Sequence, residues 1–243
     1  MSAIVEASRI HKSYRVSSTP NEVLKGLDLS IEKGEFVALV APSGEGKSTL
    51  LHILSALDTP DSGRVMIDGH NVTAMDEERR TIFRRDRIGV VFQFFNLVPT
   101  LTAAENVALP LRIASQRGMG GRVHELMDRL KLHGLEGHRP NEISGGEQQR
   151  IAIARALITK PAIVVADEPT GNLDFATAHE VMSVLDEAHQ EGQTVIMATH
   201  SARSAAFANR VVVLLGGQIV DDFPVGDPRD VGALVSRLET HGL

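Results

Sequence analysis

The sequence has no cysteine, no tryptophan and a single tyrosine, Tyr14. Without cysteine there is no disulfide framework and no thiolate chemistry, which suits a reducing compartment. Basic residues are also short: 25 Lys and Arg face 31 Asp and Glu, a formal net charge of −6. That balance opposes broad, non-specific nucleic-acid binding, which needs a basic face, while leaving room for a local basic patch. Long hydrophobic runs are missing too. The longest, such as Phe36–Val40 and 211–215, are strand-length, against the ~20 residues needed to cross a bilayer. If the protein works at a membrane, another chain supplies the membrane part. The opening residues, MSAIVEASRIHKSY, mix acids and bases with short apolar stretches and do not read as a signal peptide. Internal repeats, low-complexity segments and a coiled-coil arm are absent.

What is present is a chain of 243 residues, 42% hydrophobic. It is enough for one globular unit with a subdomain, burying roughly 70–75% of its unfolded surface. Short apolar runs alternate with longer helical patterns, the signature of an α/β fold with a largely parallel core sheet. Strands are expected at 36–40, 88–92, 163–166, 194–198 and 211–215, and helices at 47–56, 103–113, 123–131, 146–159 and 176–190. Segments 3–9, 23–31 and 64–67 read as shorter, alternating strands of an antiparallel sheet. Between 93 and 160 the pattern turns mostly helical, with a Gly-rich break at 117–121, as a helical insertion in a core would. After 215 there remain a hairpin at 216–223 and a short helical tail. The run DEERRTIFRRDR at 76–87 reads as a solvated helix laced by i,i+4 ion pairs, with lipid headgroups or a membrane partner as the alternative contact.

The segment Ala41-Pro42-Ser43-Gly44-Glu45-Gly46-Lys47-Ser48-Thr49 follows an expected strand and opens an expected helix, the context of a P-loop. Gly44 and Gly46 let the backbone curl so that successive N–H groups face a β-phosphate, and the helix adds its positive dipole end. Lys47 is expected to reach the β- and γ-phosphates, Ser48 to ligate Mg²⁺ and Thr49 to touch the α-phosphate, with Ser43 and Glu45 completing the loop. Two positions depart from the strict pattern. Ala41 replaces the first glycine and fits if its φ is negative. Glu45 puts a carboxylate in an anion-binding loop and is expected to point outward.

Downstream, the strand Ile163-Val164-Val165-Ala166 runs into Asp167-Glu168. Asp167 is placed to hold Mg²⁺ through water, completing an oxygen set with Ser48. Glu168, one residue on, can polarise or deprotonate an attacking water. Between these two segments lies Ser144-Gly145-Gly146-Glu147-Gln148-Gln149-Arg150, whose serine hydroxyl and glycine N–H groups open a helix and form a second anion site.

This combination resembles the ATPase subunit of ABC (ATP-binding cassette) systems, over nearly the whole chain. The resemblance implies a P-loop NTPase (RecA-like) core, 1–92 and 161–243, with an antiparallel β subdomain and a helical subdomain at 93–160. It implies ATP and Mg²⁺ as ligands. Gln93, in VFQFFNL, then adds an oxygen to Mg²⁺ or the lytic water and reports γ-phosphate occupancy at the junction with the helical insertion. His200 matches the switch histidine that contacts the γ-phosphate, and Tyr14 the aromatic stacked on adenine. Ser144, Gly145 and Gly146 close on the γ-phosphate held by a second copy in a head-to-tail pair, and Asp174 crosses that interface. The stretch 92–107 with ADEPTGNLD at 166–174 is similar to the branch serving macrolide export, lipoprotein release and the cell-division complex. That implies an integral membrane permease partner, met in part by Phe94, Phe95, Leu97 and Val98, and a cytoplasmic location on the inner face of the membrane. Three other readings stay open: an ATPase that gates a membrane partner without transport, a soluble ATPase acting on nucleic acid or the ribosome, and a P-loop kinase or GTPase. The second would ordinarily carry coiled-coil arms, zinc cysteines or two fused cassettes, and SGGEQQR speaks against the third.

Overall fold

The computed structural model describes residues 3–16, 19–115, 120–226 and 231–243; most of the Gly-rich break expected at 117–121 lies outside them. Two sheets organise the chain. The first is antiparallel, in the order β2-β1-β4-β5, with β1 at Ala3–Val16, β2 at Thr19–Glu32, β4 at Ser62–Ile67 and β5 at His70–Asn71. The second runs β10-β9-β3-β8-β7-β6, with β3 at Phe36–Val40, β6 at Ile88–Val91, β7 at Ile163–Asp167, β8 at Thr194–Thr199, β9 at Arg210–Leu215 and β10 at Gln218–Pro224. Every pairing in it is parallel except β9 with β10.

The unbroken apolar runs follow from this topology. A strand buried on both faces cannot alternate apolar with polar, so it alternates between two cores. Phe36, Ala38 and Val40 enter one core with Val164, Ala166, Val195, Met197, Val211 and Val213. Val37, Leu39 and Ala41 enter the other with Ile163, Val165, Ile196, Ala198, Val212 and Leu214. The first core is closed by α3 (Ala103–Ile113), α4 (Gly120–Arg129), α5 (Gly145–Leu157), α6 (Phe175–Gln190) and α8 (Val231–Glu239). The second is closed by the antiparallel sheet and by α1 (Lys47–Leu54). Helices α3, α4 and α5 all lie between β6 and β7 in the chain.

Several elements differ from expectation. Strands β1 and β2 are 14 residues each, well beyond 3–9 and 23–31. Helix α2 (Glu77–Arg87) forms as expected, but its ion pairs are not at i,i+4. Asp76 pairs with Arg79 and Glu77 with Arg80, both at i,i+3, while Arg84 donates to Ala56 O at 2.6 Å and Arg87 lies 2.7 Å from Asp68. The helix is therefore docked through its basic side chains rather than only solvated. A one-turn helix, α7 (Ala202–Ala205), was not expected. The C-terminal α8 is held to β10 by Arg237, which donates to both Asp221 oxygens at 2.8 and 2.9 Å and covers the Phe223 ring at 3.7 Å.

Candidate active site

Four adjacent parallel strands end level with one another: Val40 pairs with Thr199, Ala198 with Asp167, and Ala166 with Val91. The residues that leave these ends are Ala41, His200, Glu168 and Phe92-Gln93. Ligand sites of open parallel sheets form at such carboxyl ends, and the register alone brings four of the expected segments together.

In the 41–46 loop, Gly44 and Gly46 take φ values of 88° and 96°, the left-handed region that a side chain disfavours. A Cβ on Gly46 would also lie 2.9 Å from Val23 Cγ1, so this glycine is needed twice over. Ala41 is outside the positive-φ residues and carries no such strain. Glu45 turns away from the loop: its Oε2 accepts from Gly216 N at 2.6 Å, in the turn between β9 and β10. Half-buried, it is bonded to a backbone donor of its own chain.

Lys47 is 7% exposed. Its Nζ donates to Ala41 O at 2.7 Å and Pro42 O at 3.1 Å and lies 3.8 Å from Glu168 Oε1. A buried ammonium needs such partners, and the same donors can be handed to phosphate oxygens. Ser48 is exposed and Thr49 half-buried on the first turn of α1; Ser43 is exposed.

Glu168 has φ 46°, a conformation that costs a non-glycine residue of order 1 kcal/mol or more. It is held there from both sides: its N–H donates to Ala198 O and its carbonyl accepts from Gly171 N, each at 3.0 Å. The carboxylate thus sits between Lys47 and His200, whose Nδ1 is 2.9 Å from Oε2. Next to it, Asp167 Oδ1 is buried with no hydrogen-bond partner among the described residues. Such orphans are rare in folded proteins, and a carboxylate oxygen left over beside a phosphate loop fits a hard, oxygen-ligated cation. Gln93 is half-buried. Its Nε2 would come within 3.1 Å of a Cβ on Gly171, so it covers the glycine of the loop that carries Glu168.

Tyr14 is 39% exposed on β1. Its hydroxyl donates to Asp58 Oδ2 at 2.8 Å, and Lys12 Nζ lies 5.1 Å from the ring centroid while donating to Asp58 Oδ1 at 2.8 Å. Burial and then the Asp58 bond push the phenol above its ordinary range. Burial of Asp58 is outweighed by the bonds from Lys12 and Tyr14, which hold its carboxyl low. The ring is fixed at its tip with its body still accessible.

Ser144 caps α5 in a capping box: Ser144 N and Oγ both donate to Glu147 Oε2 at 2.7 Å, and these two bonds keep the Glu147 carboxyl below its usual range. A Cβ on Gly145 would lie 3.4 Å from Leu173 Cδ2, and one on Gly146 would overlap the Thr177 methyl. The glycines therefore let α5 close against α6. Among the described residues, the hydrogen bonds of Ser144 reach none of 41–49. Asp174 caps α6, with Oδ1 accepting from Ala176 N and Thr177 N and Oδ2 from Thr177 Oγ1 at 2.6 Å. This local duty was not foreseen from the sequence. Nor were those of Lys12 and Asp58 beside Tyr14, of Asn106, which bonds the backbone of Val98, Leu101 and Thr102, or of Arg155, which donates to Phe95 O and Asn96 O; for Arg155 no signal but its place on the SGGEQQR helix was available.

A shallow groove of about 230 Å³ runs over Glu168, His200, Leu173, Phe175 and Phe207. A larger cleft of about 760 Å³, between Arg129, Glu191, Lys33 and Arg87, lies at the opposite, amino ends of the parallel strands, just before β6, β7 and β8 begin. It holds none of these residues, and size does not make it the site.

A glycine-bearing loop between β3 and α1, with an acidic pair at the end of β7, is the framework of a P-loop ATPase. The description of the ABC transporter family matches residues 24–171. An uncharacterized ABC transporter ATP-binding protein of Mycobacterium tuberculosis is 47% identical over 89% of both chains, and the lipoprotein-releasing system ATP-binding protein LolD of Psychrobacter arcticus is 46% identical over 89% of this chain and 98% of its own. The macrolide export ATP-binding/permease protein MacB of Chlorobaculum tepidum is 43% identical over 93% of this chain, which spans only 35% of that longer protein. Among solved structures, the ATP-binding cassette MJ0796, dimeric and bound to ADP and Pi, superposes with a TM-score of 0.84 at 40% identity over 91% of this chain and 99% of its own. The chain belongs to the ABC transporter family and is an ATP-binding, ATP-hydrolysing subunit of it.

Proposed function

We propose that the protein hydrolyses ATP between two copies of itself to drive an integral membrane permease, in the manner of macrolide-export and lipoprotein-releasing systems. The observation that carries this reading is Glu168, held in a strained conformation between Lys47 and His200 beside the unpartnered Asp167 oxygen.

In the mechanism we infer, the 41–46 N–H groups and the α1 N-terminus bind the β-phosphate. Lys47 exchanges its two carbonyl partners for β- and γ-phosphate oxygens, Thr49 meets the α-phosphate, and the Tyr14 face stacks on adenine. Ser48, Asp167 and Gln93 would hold Mg²⁺, which supplies neutralisation of the phosphate charge. Glu168 takes the proton of a water attacking the γ-phosphorus in line, and ADP leaves. His200 orients Glu168 and donates toward the γ-phosphate. The γ-phosphate is also met by Ser144, Gly145 and Gly146 of the second copy, with Asp174 at the crossing, so hydrolysis removes the bridge between copies. The 93–160 segment acts as a helical subdomain on the core of 1–92 and 161–243. Phe94, 70% exposed beside Gln93, joins Phe95, Leu97 and Val98 in receiving the permease on the cytoplasmic face of the membrane. No helix among the described residues is long and apolar enough to cross a membrane, so the spanning element is assigned to that partner.

The test is Glu168→Gln. Removing the base is expected to lower turnover about 10²–10⁴-fold while ATP binding persists. Capture of this variant with ATP and Mg²⁺ from solubilised native membranes should bring down a stoichiometric polytopic protein. Turnover near wild type would remove Glu168 as base, and capture of only soluble or nucleic-acid-associated partners would remove the permease.

A further inference from the structure

The backbone that carries Gln93 leaves regular structure at Val91 and is held by side chains. Gln149 Nε2 donates to Phe92 O at 3.4 Å and Asn172 Nδ2 to Gln93 O at 3.0 Å. Arg155 donates to Phe95 O at 2.9 Å and to Asn96 O at 2.6 Å. Four carbonyls in five residues are thus taken by donors from elsewhere, three of them from α5. Phe95 and Asn96 have φ values of 57° and 49°, two successive left-handed non-glycine residues that relax unless something fixes them. The tip of the Phe95 ring lies against Gly145, 3.6 Å from where a Cβ would stand.

Arg155 is half-buried. Like Arg84, it has no carboxylate within ion-pair distance among the described residues, and burial lowers its guanidinium pKa. Taking a cation out of water is costly, and its compensation is these two backbone oxygens. The strained strap and the costly cation stabilise one another.

We propose that Arg155 is a positioning residue that locks the 92–96 strap to α5, so that Gln93 and the Ser144–Gly146 end of α5 shift as one body. The consequence rests on the proposed ATP-dependent pairing of two copies. A change at Gln93 when the γ-phosphate arrives or leaves is carried along α5 to the surface offered to the second nucleotide. Arg155 touches neither nucleotide, so its loss should spare ATP binding to one copy and impair closure and turnover.

The experiment compares Arg155→Met and Arg155→Lys with wild type, using the full chain. Hydrogen exchange over 92–98 without nucleotide reads the lock itself. The kcat against Kd for ATP reads its consequence, and ATP-dependent dimerisation is measured in the Glu168→Gln background. Losing two charge-assisted bonds should raise exchange over 92–98 and lower kcat by about tenfold or more, with Kd changed by less than about twofold. Arg155→Lys, which keeps the charge but not the planar fork, should recover part of both losses. Unchanged exchange and kcat in Arg155→Met would overturn the proposal, as would an equal loss of ATP affinity, which marks a purely structural role. If Arg155→Met does not fold, Arg155→Lys decides by the same two readouts. Absence of a dimer in Glu168→Gln with Arg155 intact would instead refute the pairing, leaving the exchange result to judge the lock.

Discussion

Replacement of Gly146 by alanine tests how closely α5 must approach α6. A Cβ at this position would overlap the Thr177 methyl. Thr177 cannot simply rotate away, because its hydroxyl donates to Asp174 Oδ2 at 2.6 Å and its N–H to Asp174 Oδ1 at 3.1 Å. Two effects oppose each other. Ala is the better helix former by about 0.5–1 kcal/mol, less in a first turn, while overpacking costs about 1–3 kcal/mol. Overpacking wins, and Gly146→Ala should destabilise by about 1–2 kcal/mol. Thr177→Ser keeps the hydroxyl and removes the methyl, costing at most about 0.8 kcal/mol by itself. In that background the clash is gone and Gly146→Ala should become neutral or stabilising. Urea unfolding of the four proteins gives the coupling directly, expected at about 1 kcal/mol or more. A Gly146→Ala penalty of the same size with and without Thr177→Ser would refute the methyl contact as its cause.

Asn106 is fully buried, accepting from Val98 N at 2.7 Å and donating to Val98 O, Leu101 O and Thr102 O. Asn106→Leu keeps the branching at Cγ but adds volume and strands those groups, and should cost about 2–4 kcal/mol by urea unfolding; a neutral result would contradict its role in shaping 98–102. Tyr14→Ala should weaken ATP about 3- to 10-fold by loss of the ring face, with Tyr14→Phe milder, measured by calorimetric titration; the reverse order would point to the hydroxyl instead. The Arg237 hydrogen bonds lower the Asp221 carboxyl to about 2. A depressed folded pKa contributes stability above the unfolded value of about 3.9, and that contribution is lost as pH falls toward the folded one. His241 bonds the same carboxylate at 3.1 Å in both proteins, so the Arg237 contribution is read in acid: the stability gap between wild type and Arg237→Met should shrink between about pH 4 and 2. A gap that widens on acidification would contradict it.

The central sheet was legible because strands buried on both faces must be continuously apolar: β3 is so throughout, β7 up to Asp167 and β8 between Thr194 and Thr199. The length of β1 was not. Arg9 adopts φ 49° and the pairing register slips between Ala7 and Ile10 and again between Ile10 and His11, so the period-two pattern breaks while the strand continues. The phosphate loop and the Asp167-Glu168 pair were readable as motifs, since each needs particular residue types next to a strand end. Their present partners were not. That Lys47 bonds to Ala41 O and Pro42 O, that Glu45 reaches Gly216 and that Asp174 caps its own helix depend on which backbone groups the fold brings near. Arg155 illustrates the limit most plainly: its acceptors are main-chain oxygens about sixty positions away, which no side-chain pattern encodes.

The most direct test is the mass in solution of Glu168→Gln with and without ATP, alongside the same variant carrying Ser144→Arg. The account predicts a monomer without nucleotide, a dimer of twice the mass with ATP, and a monomer under both conditions once Ser144 is replaced, with ATP affinity of the single copy near normal. A Glu168→Gln protein that binds ATP yet stays monomeric, or a dimer indifferent to Ser144→Arg, would contradict it.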